Sequence, residues 1–300
     1  MRSNVATIRG WRIAAFLAII SAAASSATAQ TQPTPETKPS RPQASPSPSP
    51  TPSLEREFFK NILRDQRAIW TSPLHLHRED AKWLVPLGLA TAALIATDES
   101  TAGALHDDRL RLNISRDVGY LGSGLGASAL TASFYLIGRA RNDARLRETG
   151  LLSAEALIDD VIVYPVIKVA TERPRPREDE GRGRFFQGGF SFPSGHAVAA
   201  WSMAAIVASE YNDRTLIKVG AYGLATAVSI SRFTGRNHFL SDALVGSAIG
   251  YGIGRYVYHA HHRAASGDET TTTTETKRFT VIPLIAPRQE SFGVFVAWRL

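Results

Sequence analysis

The 300-residue sequence contains no cysteine, which excludes disulfides, thiolate metal sites and cysteine nucleophiles. It also lacks zinc-finger spacing and aromatic RNA-binding motifs, so no motif supports nucleic-acid binding. Any chemistry must use histidine, serine, carboxylate, lysine or arginine side chains. A hydrophobic fraction of 44% is enough for a sizeable core, which excludes a wholly disordered chain.

Residues 1–29 contain no acidic side chain and are organised like a secretory signal peptide. Three arginines precede an apolar run from Ile13 to Ile20, and the segment ends in an A-x-A cleavage pattern, Ala27-Thr28-Ala29. The apolar run is short for a membrane span, so we expect cleavage rather than an uncleaved anchor. The sequence thus predicts export to the cell envelope. We expect a periplasmic protein, and the prediction allows association with the inner membrane.

The net charge is modest once this segment is removed. The whole chain has 34 basic and 27 acidic residues, and three of the basic ones lie in residues 1–29, which leaves 31 against 27, or +4. This charge suits anionic small molecules or a lipid surface better than a nucleic-acid duplex. We therefore expect an anionic small molecule or a lipid surface as partner, and no nucleic-acid partner.

Composition divides the remaining chain into four regions. Residues 30–53 form a Pro/Ser/Thr-rich linker with eight of the 16 prolines. Residues 54–262 form a helical domain, residues 263–278 a threonine-rich linker, and residues 279–300 a β-hairpin with alternating apolar side chains. Within the domain we predict helices near 54–72, 82–96, 118–138, 151–170, 196–210, 215–231 and 240–259.

One uncharged stretch, Val118 to Gly138, is long enough to span a bilayer. The helix predicted at 151–170 carries three acidic residues, and we favour a soluble or peripheral bundle over an integral membrane protein. Gly246, Gly250 and Gly254 recur every four residues in the last helix, which predicts close packing of two helix backbones.

Three clusters of polar residues follow one another between residues 168 and 242. They are Lys168 with Arg175-Pro176, then Pro193-Ser194-Gly195-His196, then Ser231-Arg232 with His238 and Asp242.

These clusters contain the parts of an anion site. Ser194 is suited to cap a helix whose free N–H groups bind anions, with His196 in its first turn. His238 and Asp242 are four residues apart and share a helix face, so the carboxylate can orient the imidazole. Added to three cations, this inventory suits phosphoryl transfer without metal ions, although these residues alone do not decide which histidine attacks.

The combined pattern resembles the three-part signature of the type 2 phosphatidic acid phosphatase (PAP2) superfamily, which includes vanadium haloperoxidases and bacterial class A acid phosphatases. Every specified position matches: Lys168, six residues, Arg175-Pro176; Pro193 to His196; Ser231-Arg232, five residues, His238, three residues, Asp242. The resemblance implies an all-α, PAP2-like helical bundle, to which this chain adds the short C-terminal β-hairpin.

The resemblance also implies a role for each residue. His238 is the nucleophile that forms a phosphohistidine, Asp242 orients it, and His196 protonates the leaving oxygen and then activates water. The phosphate oxygens are held by Lys168, Arg175, Arg232, Ser194 and Gly195. The implied activity is hydrolysis of phosphomonoesters or diphosphates, with phosphatidic acid or prenyl diphosphates as expected lipid substrates. No cofactor or metal is expected, and vanadate should inhibit.

Two other functions remain open. A haloperoxidase would use vanadate as a cofactor at the same site, and an inactive envelope scaffold would keep the fold without turnover. A metal site at His259, His261 and His262 is also conceivable, but we expect these histidines to form a solvated helix end.

Overall fold

The computed structural model describes residues 54–265, 279–286 and 291–298, with side chains described for residues 54–262. The predicted signal peptide and proline-rich linker lie outside these ranges, as does most of the threonine-rich linker. Eight α-helices are described: α1 Leu54–Thr71, α2 Ala81–Gly103, α3 Arg109–Gly119, α4 Gly124–Arg141, α5 Ala144–Thr171, α6 Gly195–Glu210, α7 Thr215–Thr234 and α8 Leu240–Ala265. The all-α fold class is therefore confirmed.

Two helix predictions differ from the structure. The stretch 118–138 is not one helix, because α3 ends at Gly119, a 3-10 turn covers Tyr120–Gly122, and a new helix starts at Gly124. The Ser123 hydroxyl caps that start by accepting a hydrogen bond from the Gly126 N–H at 3.0 Å. The helix α3 was missed because its 11-residue sequence is largely polar, although Leu110, Ile114 and Val118 recur at helical spacing.

No single helix among the described residues is both long and apolar enough to cross a bilayer. The segments Arg109–Gly122 and Gly124–Arg141 reach the length and apolar composition of a membrane span only when they are taken together. They are bent by 47° where they join.

Helix α6 lies at the centre of the bundle, packed against α4, α5, α7 and α8. The predicted glycine repeat makes its contact with α8 very close. A Cβ added at Gly246, Gly250 or Gly254 would lie 2.6, 2.1 or 2.2 Å from the carbonyl oxygens of Ser194, Val198 and Ser202, respectively. This contact fixes the start of α6 against the first turns of α8.

The segment after α5 connects this helix to the start of α6. Helix α5 ends at Thr171, where Glu172 adopts a left-handed conformation with φ 44° just before Pro174. The returning loop is held back against the helix end, since Phe186 N–H donates to the Thr171 carbonyl at 2.9 Å and Ser191 N–H to the Arg173 carbonyl at 2.6 Å. The last turn of α5 and the first turn of α6 are thereby neighbours.

The predicted C-terminal hairpin consists of β1 Phe279–Ala286 and β2 Ser291–Trp298. The strands are antiparallel, in a register that pairs Phe279 with Trp298 and Ala286 with Ser291. Helix α8 continues to Ala265, so residues 263–265, expected to be linker, are helical.

Candidate active site

Four helix ends bring the predicted site residues together. Lys168 lies in the last turn of α5, Ser194 and His196 begin α6, Arg232 is in the last turn of α7, and Asp242 is in the first turn of α8. Two hydrogen bonds tie these ends to each other and to the loop before α6. The Ser194 N–H donates to the Asp242 carbonyl at 3.0 Å, and Lys168 Nζ donates to the Phe190 carbonyl at 2.7 Å.

The protonation of the His238 ring follows from its contacts. Its Nδ1 lies 2.8 Å from the Ser191 carbonyl oxygen and 3.6 Å from Asp242 Oδ2. A carbonyl oxygen can only accept, so Nδ1 carries the proton and Nε2 keeps its lone pair. Burial lowers the pKa of His238, which keeps the ring neutral at pH 7. The residue that chiefly orients the ring is thus Ser191, which the sequence did not indicate.

Asp242 supports this arrangement from behind. Its Oδ2 accepts hydrogen bonds from the Ser191 hydroxyl and from the Phe239 N–H, the latter at 2.9 Å. Burial alone would raise the pKa of Asp242, but its interactions with His238, Arg173 and Ser191 outweigh burial and lower it. The carboxylate is therefore ionised, and it holds the loop carrying Ser191 against α8.

Sequence analysis missed two charged residues of this network. Arg173 donates from Nη1 to Asp242 Oδ1 at 2.7 Å and from Nη2 to Asp98 Oδ2 at 2.8 Å. All three side chains are about 1% exposed or less. Arg173 lies at an unspecified position between Lys168 and Arg175. The available signal for Asp98 was its position, next to Glu99, in the otherwise largely apolar sequence of α2.

Lys168 loses its proton at a lower pH than an ordinary lysine does. Burial lowers its pKa to about 8, and the positive charges of Arg175 and Arg232 act in the same direction, whereas Asp242 opposes them. The ammonium group is held in position by the hydrogen bonds that Nζ donates to the carbonyls of Phe190 and Ser191. These mutual effects show that the three cations share one region of the molecule.

His196 lies in the same region. Burial lowers its pKa to about 3, and further lowering comes from the neighbouring Arg232, Lys168 and Arg175 and, when protonated, His238. In the absence of an anion, His196 is therefore neutral above pH 4. Arg175 contributes to this field although its own side chain is exposed.

Two buried donors at this point have no protein partner within the described residues. One is the Ser194 hydroxyl, which sits at the N-cap position of α6 but makes no capping hydrogen bond. The other is Nε of Arg232. Gly195, the next residue, packs against the Tyr164 ring, and a Cβ added to it would lie 3.0 Å from the nearest ring carbons. Unsatisfied buried donors beside a helix N-terminus suit an oxyanion.

The remaining histidine prediction was wrong in part. His259 is exposed, as expected for a solvated helix end. His261, however, is 2% exposed and pairs through Nε2 with Asp65 at 2.8 Å, and His262 pairs through Nδ1 with Glu148 at 2.9 Å. No pattern in the sequence indicated that α1 and α5 would cover this end of α8.

Comparison with known proteins gives one family match and one curated relative. Residues 149–266 match the profile of the PAP2 superfamily. A lipid A 1-phosphatase from Porphyromonas gingivalis is 36% identical over 69 residues, which cover 23% of this chain and 16% of the relative. The chain thus spans about one sixth of that relative's length.

Two solved structures are also similar. A transmembrane PAP2-type phosphatidylglycerolphosphate phosphatase from Bacillus subtilis is 23% identical with a TM-score of 0.44, over 64% of this chain and 98% of that one. LpxE from Aquifex aeolicus is 21% identical with a TM-score of 0.36, over 49% of this chain and 85% of that one.

Proposed function

We propose that this chain, whose residues 149–266 match the PAP2 superfamily profile, is a PAP2-type phosphatase that hydrolyses phosphomonoesters or diphosphates. The observation that carries this proposal is that the Ser191 carbonyl accepts from Lys168 Nζ at 3.3 Å and from His238 Nδ1 at 2.8 Å, which places a cation beside the imidazole. Lys168, Arg175 and Arg232 supply the positive charge that a tetrahedral oxyanion needs. The neutral His238 ring, with its free Nε2, supplies the nucleophile. The three cations provide the positive charge that other phosphatases take from metal ions, so this reaction needs no metal at the phosphate.

The first step forms a covalent intermediate. His238 Nε2 attacks phosphorus, a P–N bond forms, and the P–O bond to the leaving group breaks. The leaving oxygen takes a proton from His196, and the hydrogen bond from Nδ1 to Ser191 stabilises the charge that develops on the His238 ring.

The second step reverses these roles. His196, now neutral, accepts a proton from water, whose oxygen attacks the phosphohistidine. The P–N bond breaks, inorganic phosphate is released, and the lone pair returns to Nε2 of His238. Throughout, Lys168, Arg232, Arg175 and the Ser194 hydroxyl hold the phosphate oxygens, together with the Gly195 N–H.

The phosphate itself supplies the condition for acid catalysis. His196 holds a proton poorly while cations surround it without an anion. A bound phosphate dianion offsets those charges and favours the imidazolium form, so the pKa of His196 rises when substrate enters. The acid is then charged only in the complex where it is needed.

Apolar side chains beside the site support a lipid phosphate as substrate. Val169 follows Lys168 directly and is 61% exposed, and Phe190, whose carbonyl accepts from Lys168, is 54% exposed. Phe186 in the same loop is 70% exposed. Apolar surface at the entrance of an anion site is suited to acyl or prenyl chains or to a membrane surface. The lipid A 1-phosphatase relative agrees with this choice, and so does the proposed location in the periplasm.

The test is phosphate release by the purified chain from p-nitrophenyl phosphate and from phosphatidic acid in detergent micelles. We expect activity on both, with kcat/KM higher for the lipid, inhibition by vanadate, and a rate that persists when EDTA is present during the assay. His238→Ala should abolish release, and His106→Ala, which removes an exposed imidazole, is the matched control.

Three results would contradict the proposal. The first is wild-type activity in His238→Ala, and the second is recovery of trapped phosphate on Ser194 instead of an acid-labile, base-stable phosphohistidine. The third is bromide oxidation by peroxide in the vanadate-loaded protein without phosphate release, which would favour a haloperoxidase.

A further inference from the structure

A second group of buried polar residues lies at the other end of the bundle. Asp65 on α1, Glu155 on α5 and His261 on α8 are all 2% exposed or less. Each offers one ligand atom, and these three atoms lie within 4.8 Å of one another. His261 Nε2 is 2.8 and 3.0 Å from the two carboxylate oxygens of Asp65.

This group contains more carboxyl groups than its own imidazole can pair with. Two further carboxyl groups, Asp159 and Asp160, are buried on the next turn of α5. Oε2 of Glu155 and Oδ2 of Asp159 have no hydrogen-bond partner within the described residues. Buried carboxylate oxygens are normally paired, protonated or bound to a metal.

The orientation of the carboxylates is fixed from outside the group. Asn61 Nδ2 donates to Glu155 Oε1 at 3.0 Å, and Gln66 Nε2 donates to Asp159 Oδ1 at 2.8 Å. Each amide occupies one oxygen and leaves the other oxygen unpartnered. Such outer hydrogen bonds are what holds the ligands of a metal site in position.

We propose that Asp65, Glu155 and His261 bind one first-row divalent cation, with Zn²⁺ as the best match. One imidazole nitrogen with two carboxylate oxygens suits Zn²⁺, whereas Ca²⁺ and Mg²⁺ prefer oxygen ligands alone. Ligands of a tetrahedral Zn²⁺ stand about 3.3 Å apart. The Asp65–His261 pair is a few tenths of an ångström closer than this, so a small outward shift admits the ion.

The site is structural and separate from the phosphate chemistry. Along α5, Glu155 precedes Lys168 by 13 residues, about 20 Å of helix, and along α8, Asp242 precedes His261 by 19 residues, about 28 Å. The three ligands come from three helices, so the cation fastens α1 to α5 and α8. Loss of the cation therefore lowers the stability of the bundle, while the residues around His238 keep their contacts.

The experiment uses the full chain after treatment with EDTA and removal of the chelator, titrated with Zn²⁺ alone. We expect one equivalent of Zn²⁺ to be lost in Glu155→Gln and in Asp65→Asn. In the wild type we expect Tm to rise by roughly 5 °C when Zn²⁺ is at about 100 times Kd. Co²⁺ in place of Zn²⁺ should give visible absorption bands in the wild type that are absent in Glu155→Gln.

His262→Gln is the matched control, since His262 also faces carboxylates but is 35% exposed at its side chain. It should keep the Zn²⁺ equivalent that Glu155→Gln loses. The proposal is overturned if the wild type binds no Zn²⁺, or if Glu155→Gln and the wild type bind the same number of equivalents with the same Kd. Phosphate release at 25 °C by Glu155→Gln should stay within about two-fold of the wild type, so this test is independent of the proposed phosphatase activity.

Discussion

Arg173 donates a hydrogen bond from Nη1 to Oδ1 of Asp242 at 2.7 Å, and both side chains are buried. The same guanidinium stacks between two aromatic rings, with its central carbon 4.2 Å from the centroid of Phe239 and 4.7 Å from that of Phe185. Asp98 neutralises its other side. Arg173 thus positions the carboxylate that supports His238 without belonging to the phosphate-binding set.

Replacing Arg173 by glutamine should cost about 3–5 kcal/mol of unfolding free energy, because two buried carboxylates lose their counter-charge. The measurement is denaturant unfolding of the purified variant. Arg182→Gln removes an arginine of the same loop that pairs with Glu180 at the surface, and it should leave stability nearly unchanged. Equal losses of unfolding free energy in the two variants would show that the buried ion pairs of Arg173 stabilise the protein no more than a surface pair does.

The proposed phosphate-binding residues could be predicted from the sequence because their order and spacing form a long joint pattern, and their role stays a prediction. The sequence was insufficient for Arg173 and Asp98, since the partner of Arg173 lies 75 positions upstream and only folding brings the two together. The same reason explains His261: its burial depends on Asp65, 196 positions away. The break at Ser123 was local, and the hydroxyl cap before Gly124 was readable from the sequence.

The pH dependence should report Lys168. Its ammonium group must be charged to hold phosphate, and burial lowers its pKa to about 8, so kcat/KM should fall as pH rises through about 8. Lys168→Arg keeps the charge at higher pH, because guanidinium does not deprotonate in this range. The variant will be slower, but its alkaline limb should shift upward by more than one pH unit. An unchanged limb would assign the titration to another group.

Ser194 and Ser202 separate catalysis from stability. Within the described part of the chain the buried Ser194 hydroxyl has no partner, so Ser194→Ala should lower kcat by about 10²-fold, the usual effect of losing one oxyanion donor, with little change in stability. The Ser202 hydroxyl donates to Asp160 in the core, and Ser202→Ala should instead cost about 1–3 kcal/mol while kcat holds. Steady-state kinetics and thermal unfolding of both variants decide the matter. A stability loss without a rate loss in Ser194→Ala would remove Ser194 from the phosphate site.

The contact between α6 and α8 can be tested with two glycines of the same helix. A Cβ at Gly250 would lie 2.1 Å from the Val198 carbonyl oxygen, whereas a Cβ at Gly252 meets nothing within 4 Å. Gly250→Ala must push the helix backbones apart and should cost at least about 1–3 kcal/mol. Gly252→Ala should be neutral or stabilising by up to about 1 kcal/mol, because alanine favours the helix and no atom has to move. Since Gly246 holds the start of α6 one turn away, Gly250→Ala should also lower kcat, and Gly252→Ala should not. Unfolding curves in which both variants change stability in the same direction would mean that close backbone packing does not hold these helices together.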